Sequence, residues 1–328
     1  MKFTTYSIYD GEIPRFGFIK NNYIFDVLRS SVWMNQNKNI PTFLDIPSDI
    51  KLALENWDNN LKKLKALNDA LPESNAHSLT VNNKPIAYSE SQVTILPPIQ
   101  NPNSFRDFYA FEQHVRSARK LRGLDMHPDW FKIPIFYFSN TSALYGHKQS
   151  IPYPSGTKEL DFELEFAIII ANGGTNIKRH EAHKYIAGYT ICNDWSARDF
   201  QREEMAMNLG PAKGKDFASS FGPYMVTPDE LNHALDNNGK LHLRMTCHVN
   251  DKLISDGNTN DLYHPFTEMI KRASLNTNLL AGDILGSGTV GTGCILELRP
   301  ENVGGWLKKG DVVRLEVEGL GILENTIV

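Results

Sequence analysis

Acidic residues recur at every second position in the segment Leu160-Asp161-Phe162-Glu163-Leu164-Glu165-Phe166. In an extended strand, period two puts Asp161, Glu163 and Glu165 on one face and Phe162, Leu164 and Phe166 on the other. The chain then runs apolar at every position from 166 to 171, as strands buried on both faces do. Carboxylates carried in a row into an interior repel one another and lose their hydration. A hard divalent cation removes that conflict, because Mg²⁺ and Ca²⁺ prefer carboxylate oxygens. The same alternation also suits the wet face of an edge strand, and the segment alone fits both.

Two further clusters extend the set. A short apolar strand ends at Asn193-Asp194, and a helix-like segment follows. Aspartate at such a junction serves as a helix N-cap or as another carboxylate for the same cation. In Phe105-Arg106-Asp107-Phe108-Tyr109-Ala110-Phe111-Glu112-Gln113-His114, a helix would put Asp107 and His114 on one face, with Tyr109 displaced. A lone histidine on a helix is ordinary. One beside a metal ligand could act as general base toward a bound substrate.

These groups need a scaffold, and the composition supplies one. The 328 residues suffice for one large domain, or a large and a small one. With 41% hydrophobic and 22% charged residues, the chain is expected to fold rather than remain disordered. A net charge of −4 and a pI near 6.2 argue against a nucleic-acid partner. Lys62, Lys63 and Lys65 sit among leucines and read as the wet side of a helix. The cysteines, at 192, 247 and 294, are too scattered for a disulfide framework or a zinc knuckle, so Cys192 and Cys294 read as buried thiols. No basic start followed by an apolar stretch opens the chain, and no apolar run approaches the ~20 residues of a membrane span. A cytoplasmic protein without membrane contact is expected. Neither G-x-G-x-x-G nor G-x-x-x-x-G-K-[ST] occurs.

Residues 1–95 read as a small N-terminal domain. Strands are expected at 3–9, 15–20 and 23–27, with turns at Asp10-Gly11 and Asn21-Asn22. A helix is expected over 50–71 from the recurrence of Leu54, Trp57, Leu61, Leu64, Leu67 and Leu71, with Pro72 as its stop. Pro97-Pro98 and Asn101-Pro102-Asn103 mark a boundary, so 96–328 form a second domain. Its strand-rich stretches 162–171 and 240–253, and the alternating Val313, Leu315 and Val317, give a β-rich α+β class. Gly173-Gly174 reads as a turn, His180 and His183 as surface, and Trp195 and Trp306 as core.

Several motifs then occur in a recognisable order. They are Asp107-Phe108-Tyr109 with His114, Glu163-Leu164-Glu165, Asn193-Asp194-Trp195-Ser196-Ala197-Arg198-Asp199 with Gln201, Gly214-Lys215 with Phe217, Gly288-Thr289, and Leu296-Glu297-Leu298. Over residues 100–328 the chain resembles the fumarylacetoacetate hydrolase family. That resemblance implies a mixed β-sheet roll preceded by a small β-containing N-terminal domain, assembled as a homodimer. It implies one divalent cation, Mg²⁺ or Ca²⁺, on Asp107, Glu163, Glu165 and Asp194. It makes His114 the base, Glu297 the carboxylate that orients it, and Lys215, Gln201 and Arg122 the oxyanion and substrate groups, with Arg119 the neighbouring alternative to Arg122. Tyr109, Tyr137 and Thr289 complete the substrate wall. One departure stands out: Met205 occupies a position where the family carries tyrosine, and the segment 205–209 has an extra residue.

The implied activity is metal-dependent hydrolysis of a carbon–carbon bond in a β-diketone, with fumarylacetoacetate, an intermediate of tyrosine breakdown, as the leading substrate. Acylpyruvate hydrolysis, and decarboxylation, isomerisation or hydration of a 2-oxo acid, are alternatives within the family. A non-catalytic protein tied together by Ca²⁺ is the alternative outside it. The pairing of His114 with Glu297 favours water activation, and the partner is a small diketo or oxo acid.

Overall fold

The structure is a computed structural model that describes residues 1–9, 13–72, 76–237 and 239–328. The expected Asp10-Gly11 turn lies outside the described residues. The N-terminal strands form as their composition dictates: β1 (Lys2–Ser7), β2 (Arg15–Lys20) and β3 (Tyr23–Asp26). Asn21 and Asn22 both take positive φ, 50° and 64°, which is the backbone a tight right-twisted hairpin requires. Helix α1 (Val27–Lys38) follows, N-capped by Asp26, whose side chain accepts from the Arg29 N–H.

The helix expected over 50–71 is two helices, α2 (Ile50–Leu54) and α3 (Trp57–Ala70). The break has a tertiary cause. The Trp57 N–H donates to Asn172 Oδ1 at 2.9 Å, and the Trp57 ring packs edge-on against Phe3 at 5.5 Å. Periodicity reports which face is apolar, and it does not report a distant side chain that caps the helix midway.

The large sheet is built from β1–β3 together with β4 (Ala87–Ser89), β5 (Phe105–Phe108), β6 (Phe136–Ser139), β7 (Leu164–Ile170), β8 (Ile186–Asn193), β9 (Ser219–Val226) and, further on, β12 (Ile284–Gly286). Its main path is β4-β3-β2-β1-β9-β8-β7-β12-β5-β6, and two short strands off that path, Thr94–Leu96 and Leu144–Tyr145, pair with β1 and β9. Strand β1 pairs antiparallel with β9, Phe3 facing Met225, so the sheet runs unbroken from the first 95 residues into the rest. A second sheet of four strands comprises β10 (Arg244–Val249), β11 (Lys252–Asn258), β13 (Val312–Val317) and β14 (Gly321–Thr326).

Strand β7 lies at the centre of both packing layers. Ile168 and Ile170 join a core with Met245, Cys247, Val313, Leu315 and Val317 of the second sheet. Ala167 and Ile169 point the other way, into a core shared with Phe3, Trp57, Leu64 and Leu67. Burial on both faces is why this run carries no polar residue past Glu165. Trp195 is fully buried, its Nε1–H donating to Ser220 Oγ, and Trp306 packs partly buried on the same core.

The helix expected across Asp107 and His114 is instead β5 followed by α4 (Glu112–Leu121). All four residues of β5 are buried, and the strand is hydrogen-bonded on both sides, parallel to β12 and antiparallel to β6. Helix α5 (Arg198–Ala206) follows β8, and the short α6 (Ile295–Leu298) follows β12. Among the described residues no helix is long and apolar enough to cross a membrane.

Candidate metal centre

The sheet brings four carboxylates to one point. Glu165 stands on β7 and faces Cys192 of β8, while Leu164 pairs with Asn193, so Glu163 and Asp194 leave the two strands side by side. Asn193 Oδ1 accepts the Glu163 N–H at 2.9 Å and fixes that exit. Asp107 arrives from β5 across the narrow strand β12, where its register partner is Gly286. Glycine is needed there, since a Cβ would lie 2.3 Å from Asp107 Oδ1. Oxygens of Asp107, Glu163, Glu165 and Asp194 all lie within 4.8 Å of one another, and the residues are 3%, 5%, 0% and 0% exposed. Such burial removes the wet-edge alternative for Glu163 and Glu165. Asp194 is no helix cap either: Ala197 is the N-cap of α5, and the Asp194 carboxylate turns inward.

Asp161 does not join the cluster. Its fully buried carboxylate accepts from Arg198 and from the backbone N–H groups of Ile295 and Leu296. The strand pairing that aligned it with Glu163 in sequence is broken, because Leu160–Asp161 pairs with Ser196–Ala197 while Leu164–Ile170 pairs with β8.

Two buried cations oppose the four charges. Lys215 Nζ sits 2.5 Å from Glu163 Oε2 and 2.6 Å from Asp194 Oδ2. Arg198 Nη2 lies 2.8 Å from Glu163 Oε1 and 2.8 Å from Asp161 Oδ2. Burial would push the Glu163 carboxyl up, but Lys215 and Arg198 outweigh it and hold the group well below the ordinary range. Asp107 and Glu165 have no such ion pair among the described residues, and burial plus neighbouring carboxylates raises both well above it, with Lys215 only partly offsetting this at Asp107. Asp194 is also raised, by burial, against the opposing pull of Lys215.

Asp107 Oδ1, Glu165 Oε2 and Asp194 Oδ1 are buried without a hydrogen-bond partner among the described residues. Orphaned carboxylate oxygens converging on one point, with negative charge in excess, are the donor set a hard divalent cation takes. The four residues fit such an ion.

The second half of the site lies on α4 and α6. His114 Nδ1 and Glu297 Oε2 are 3.0 Å apart, both side chains nearly buried. Burial alone would raise the Glu297 carboxyl, yet its hydrogen bond to His114 leads the interactions that hold it low, with Ser117 and the Thr292 backbone also bonded to it. The Tyr109 ring packs edge-on against His114 at 5.6 Å.

One cavity of about 900 Å³ joins the two halves. His114, Tyr109, Arg122, Tyr137, Gln201, Lys215 and Thr289 all reach its wall, as do Asp107, Glu163 and Glu165, together with Arg119 and Met205. Glu297 stands behind His114 and Asp194 behind Tyr137, whose hydroxyl donates to Asp194 Oδ2 at 2.5 Å. The Thr289 hydroxyl donates to Glu165 Oε1 at 3.3 Å, and Gln201 Oε1 accepts from Arg198 Nη1 at 3.0 Å. Cys294 also comes close to His114 and Glu297. Sequence reasoning placed Asp161 on the face of Glu163 and Glu165 without its actual partners, and it missed Arg198 and Cys294 as parts of this constellation. Arg198 stood inside a recognised motif, but its partners come from elsewhere in the chain.

The fumarylacetoacetate (FAA) hydrolase C-terminal family profile matches residues 103–328. A mitochondrial oxaloacetate tautomerase of Rattus norvegicus is 32% identical over 252 residues, covering 73% of this chain and 70% of that protein. Among solved structures, a fumarylacetoacetate hydrolase from Exiguobacterium antarcticum superposes with a TM-score of 0.69 at 21% identity, covering 100% of this chain and 99% of that one. A maleylpyruvate hydrolase from Sphingobium sp. SYK-6, solved with manganese(II) and pyruvate, gives 0.68 at 20% identity with the same coverage. Similarity at that level of identity establishes the fold. The profile match and the Rattus relative establish more: this chain belongs to the fumarylacetoacetate hydrolase family.

Proposed function

We propose that the protein is a metal-dependent hydrolase that cleaves a carbon–carbon bond in a β-diketone acid, with fumarylacetoacetate or an acylpyruvate as substrate. The observation that carries this reading is that His114, backed by Glu297, faces the same cavity as the carboxylate cluster. A divalent cation held by Asp107, Glu163, Glu165 and Asp194 would supply Lewis acidity toward the oxygens of a dicarbonyl.

The chain's own groups account for the rest. Glu297 accepts from the Nδ1–H of His114, which fixes the ring and leaves Nε2 free to take a proton from water. The water oxygen then attacks the carbonyl carbon, and negative charge develops on the carbonyl oxygen. Lys215 remains an ammonium, since Asp194 and Glu163 outweigh its burial and raise its pKa. That fixed positive charge at the cavity wall, with Gln201 and Arg122, opposes the developing charge. Reforming the carbonyl breaks the carbon–carbon bond, its electron pair passes into an enolate, and His114 returns the proton to carbon.

A tautomerase of a 2-oxo acid is the second reading, favoured by the similarity to the Rattus oxaloacetate tautomerase. His114 could then move a proton between carbon and oxygen without adding water. Spectrophotometric assays with Mn²⁺ or Mg²⁺ separate the two. Loss of fumarylacetoacetate or acetylpyruvate, abolished by EDTA and by His114→Ala, supports hydrolysis. Interconversion of enol- and keto-oxaloacetate, with both diketones left intact, replaces it with tautomerisation.

A further inference from the structure

The buried aspartate outside the carboxylate cluster has partners on both halves of the site. Asp161 Oδ1 accepts the Ile295 N–H at 2.7 Å and Oδ2 accepts the Leu296 N–H at 3.0 Å. Those two donors open α6, whose next residue is Glu297. The first N–H groups of a helix have no partner within it, so a carboxylate that takes two of them sets where the helix starts and how it is turned. Asp161 Oδ2 also accepts from Arg198 Nε at 2.8 Å. Arg198 Nη2 in turn stands 2.8 Å from Glu163 Oε1, as an ion pair without a well-directed hydrogen bond, and Nη1 donates to Gln201 at 3.0 Å. The path from Glu297 runs along the α6 backbone to Asp161 and then by hydrogen bond and ion pair through Arg198 to Glu163, and Asp161 is 0% exposed.

We infer that Asp161 is a positioning residue, which holds the Glu297 carboxylate against His114 and the Arg198 guanidinium against Glu163 from one fixed point. It touches neither the substrate cavity nor the four-carboxylate cluster. Its effect passes through α6 on one side and Arg198 on the other. Asparagine is the informative replacement, because its amide matches the shape while its NH₂ opposes N–H donors that a carboxylate oxygen accepts. The inference rests on the proposed pairing of His114 and Glu297 in turnover, and its test is chosen to stand apart from that.

The direct readout is the downfield ¹H resonance of the His114 Nδ1–H, assigned by its loss in His114→Ala and in Glu297→Gln. In Asp161→Asn this resonance is expected to shift or broaden, and Mn²⁺ affinity to fall about 10–100-fold, as for other groups that orient metal ligands. Turnover of acetylpyruvate should fall through kcat with KM little changed. At saturating Mn²⁺, which offsets the arm through Arg198, combining Asp161→Asn with Glu297→Gln should be scarcely worse than Glu297→Gln alone, because the remaining effect of the first change passes through Glu297.

Ile295→Pro keeps the Asp161–Arg198 charges and removes one N–H donor, along with part of a buried core side chain. Proline suits this first helical position, and Cys294 before it is extended at φ −150°, ψ 159°. It should move the same resonance in the same sense by a smaller amount, and it decides the matter if Asp161→Asn does not fold. An unchanged His114 resonance in the folded variants, or fully multiplicative losses in the double variant, overturns the inference. Loss of the resonance effect alone leaves the hydrolase reading intact, whereas full activity in His114→Ala removes that reading without touching the positioning result.

Discussion

Lys215→Met offers the sharpest look at how the site balances its charge. Lys215 is 3% exposed, and its ammonium lies 2.5 and 2.6 Å from Glu163 and Asp194. Methionine nearly matches its volume, so the change removes charge with little cavity. Breaking a buried pair leaves its carboxylate uncompensated at a cost of about 3–5 kcal/mol. At about 2.1 cal/mol/K per residue, a chain of 328 residues loses roughly 1.5 °C of Tm per kcal/mol, so a fall of about 4–7 °C is expected. The raised pKa of Lys215 makes its contribution complete below about pH 10 and lost as pH rises further, and the lowered pKa of Glu163 makes its share present above about pH 4 and lost as pH falls. The deficit should therefore be full between about pH 5 and 9 and shrink in more acid solution. Thermal melts in EDTA, repeated with saturating Mn²⁺, measure it, and the cation should recover part of the loss by mass action. Equal Tm for variant and wild type in EDTA at pH 7 would refute the view that Lys215 compensates these carboxylates.

Other outcomes follow from the same geometry. His114→Ala and Glu297→Gln should each lower kcat by about 10²–10⁴ while leaving Mn²⁺ binding unchanged, checked by steady-state kinetics beside calorimetry. Because Asp107 and Glu165 are raised well above ordinary carboxyls, the metal-free folded state binds protons that the unfolded chain has released. Its Tm in EDTA should fall as pH rises from about 5 to 8, and Mn²⁺ addition should release protons to a pH indicator. Gly286→Ala would bring a methyl to 2.3 Å from Asp107 Oδ1, so about a tenfold or larger loss of Mn²⁺ affinity is expected with the circular dichroism spectrum retained.

Much of this centre could be read along the chain, and the exceptions have physical causes. Glu163 and Glu165 were legible because strand alternation ran straight into an apolar stretch. Asp161 shared that alternation and yet went elsewhere, since the strand breaks between 161 and 164 and Arg198 with two backbone donors takes its carboxylate. In the segment 105–114 a helix would align Asp107 and His114, seven residues apart, on one face. Pairing of β5 with β12 and β6, from residues up to about 180 positions away, overrode that local signal. The join of β1 to β9 was equally invisible, as no local pattern names a partner more than 200 residues distant. The hairpin at Asn21-Asn22 needed no such partner, and it formed where the asparagines indicated.

Equilibrium titration with Mn²⁺, followed by electron paramagnetic resonance of the free ion, tests the central claim most directly. One tight site per chain is predicted for the wild type and for His114→Ala, with that site abolished in Glu165→Gln and in Asp107→Asn. Binding that survives both carboxylate substitutions, or no tight site in the wild type, would contradict the account.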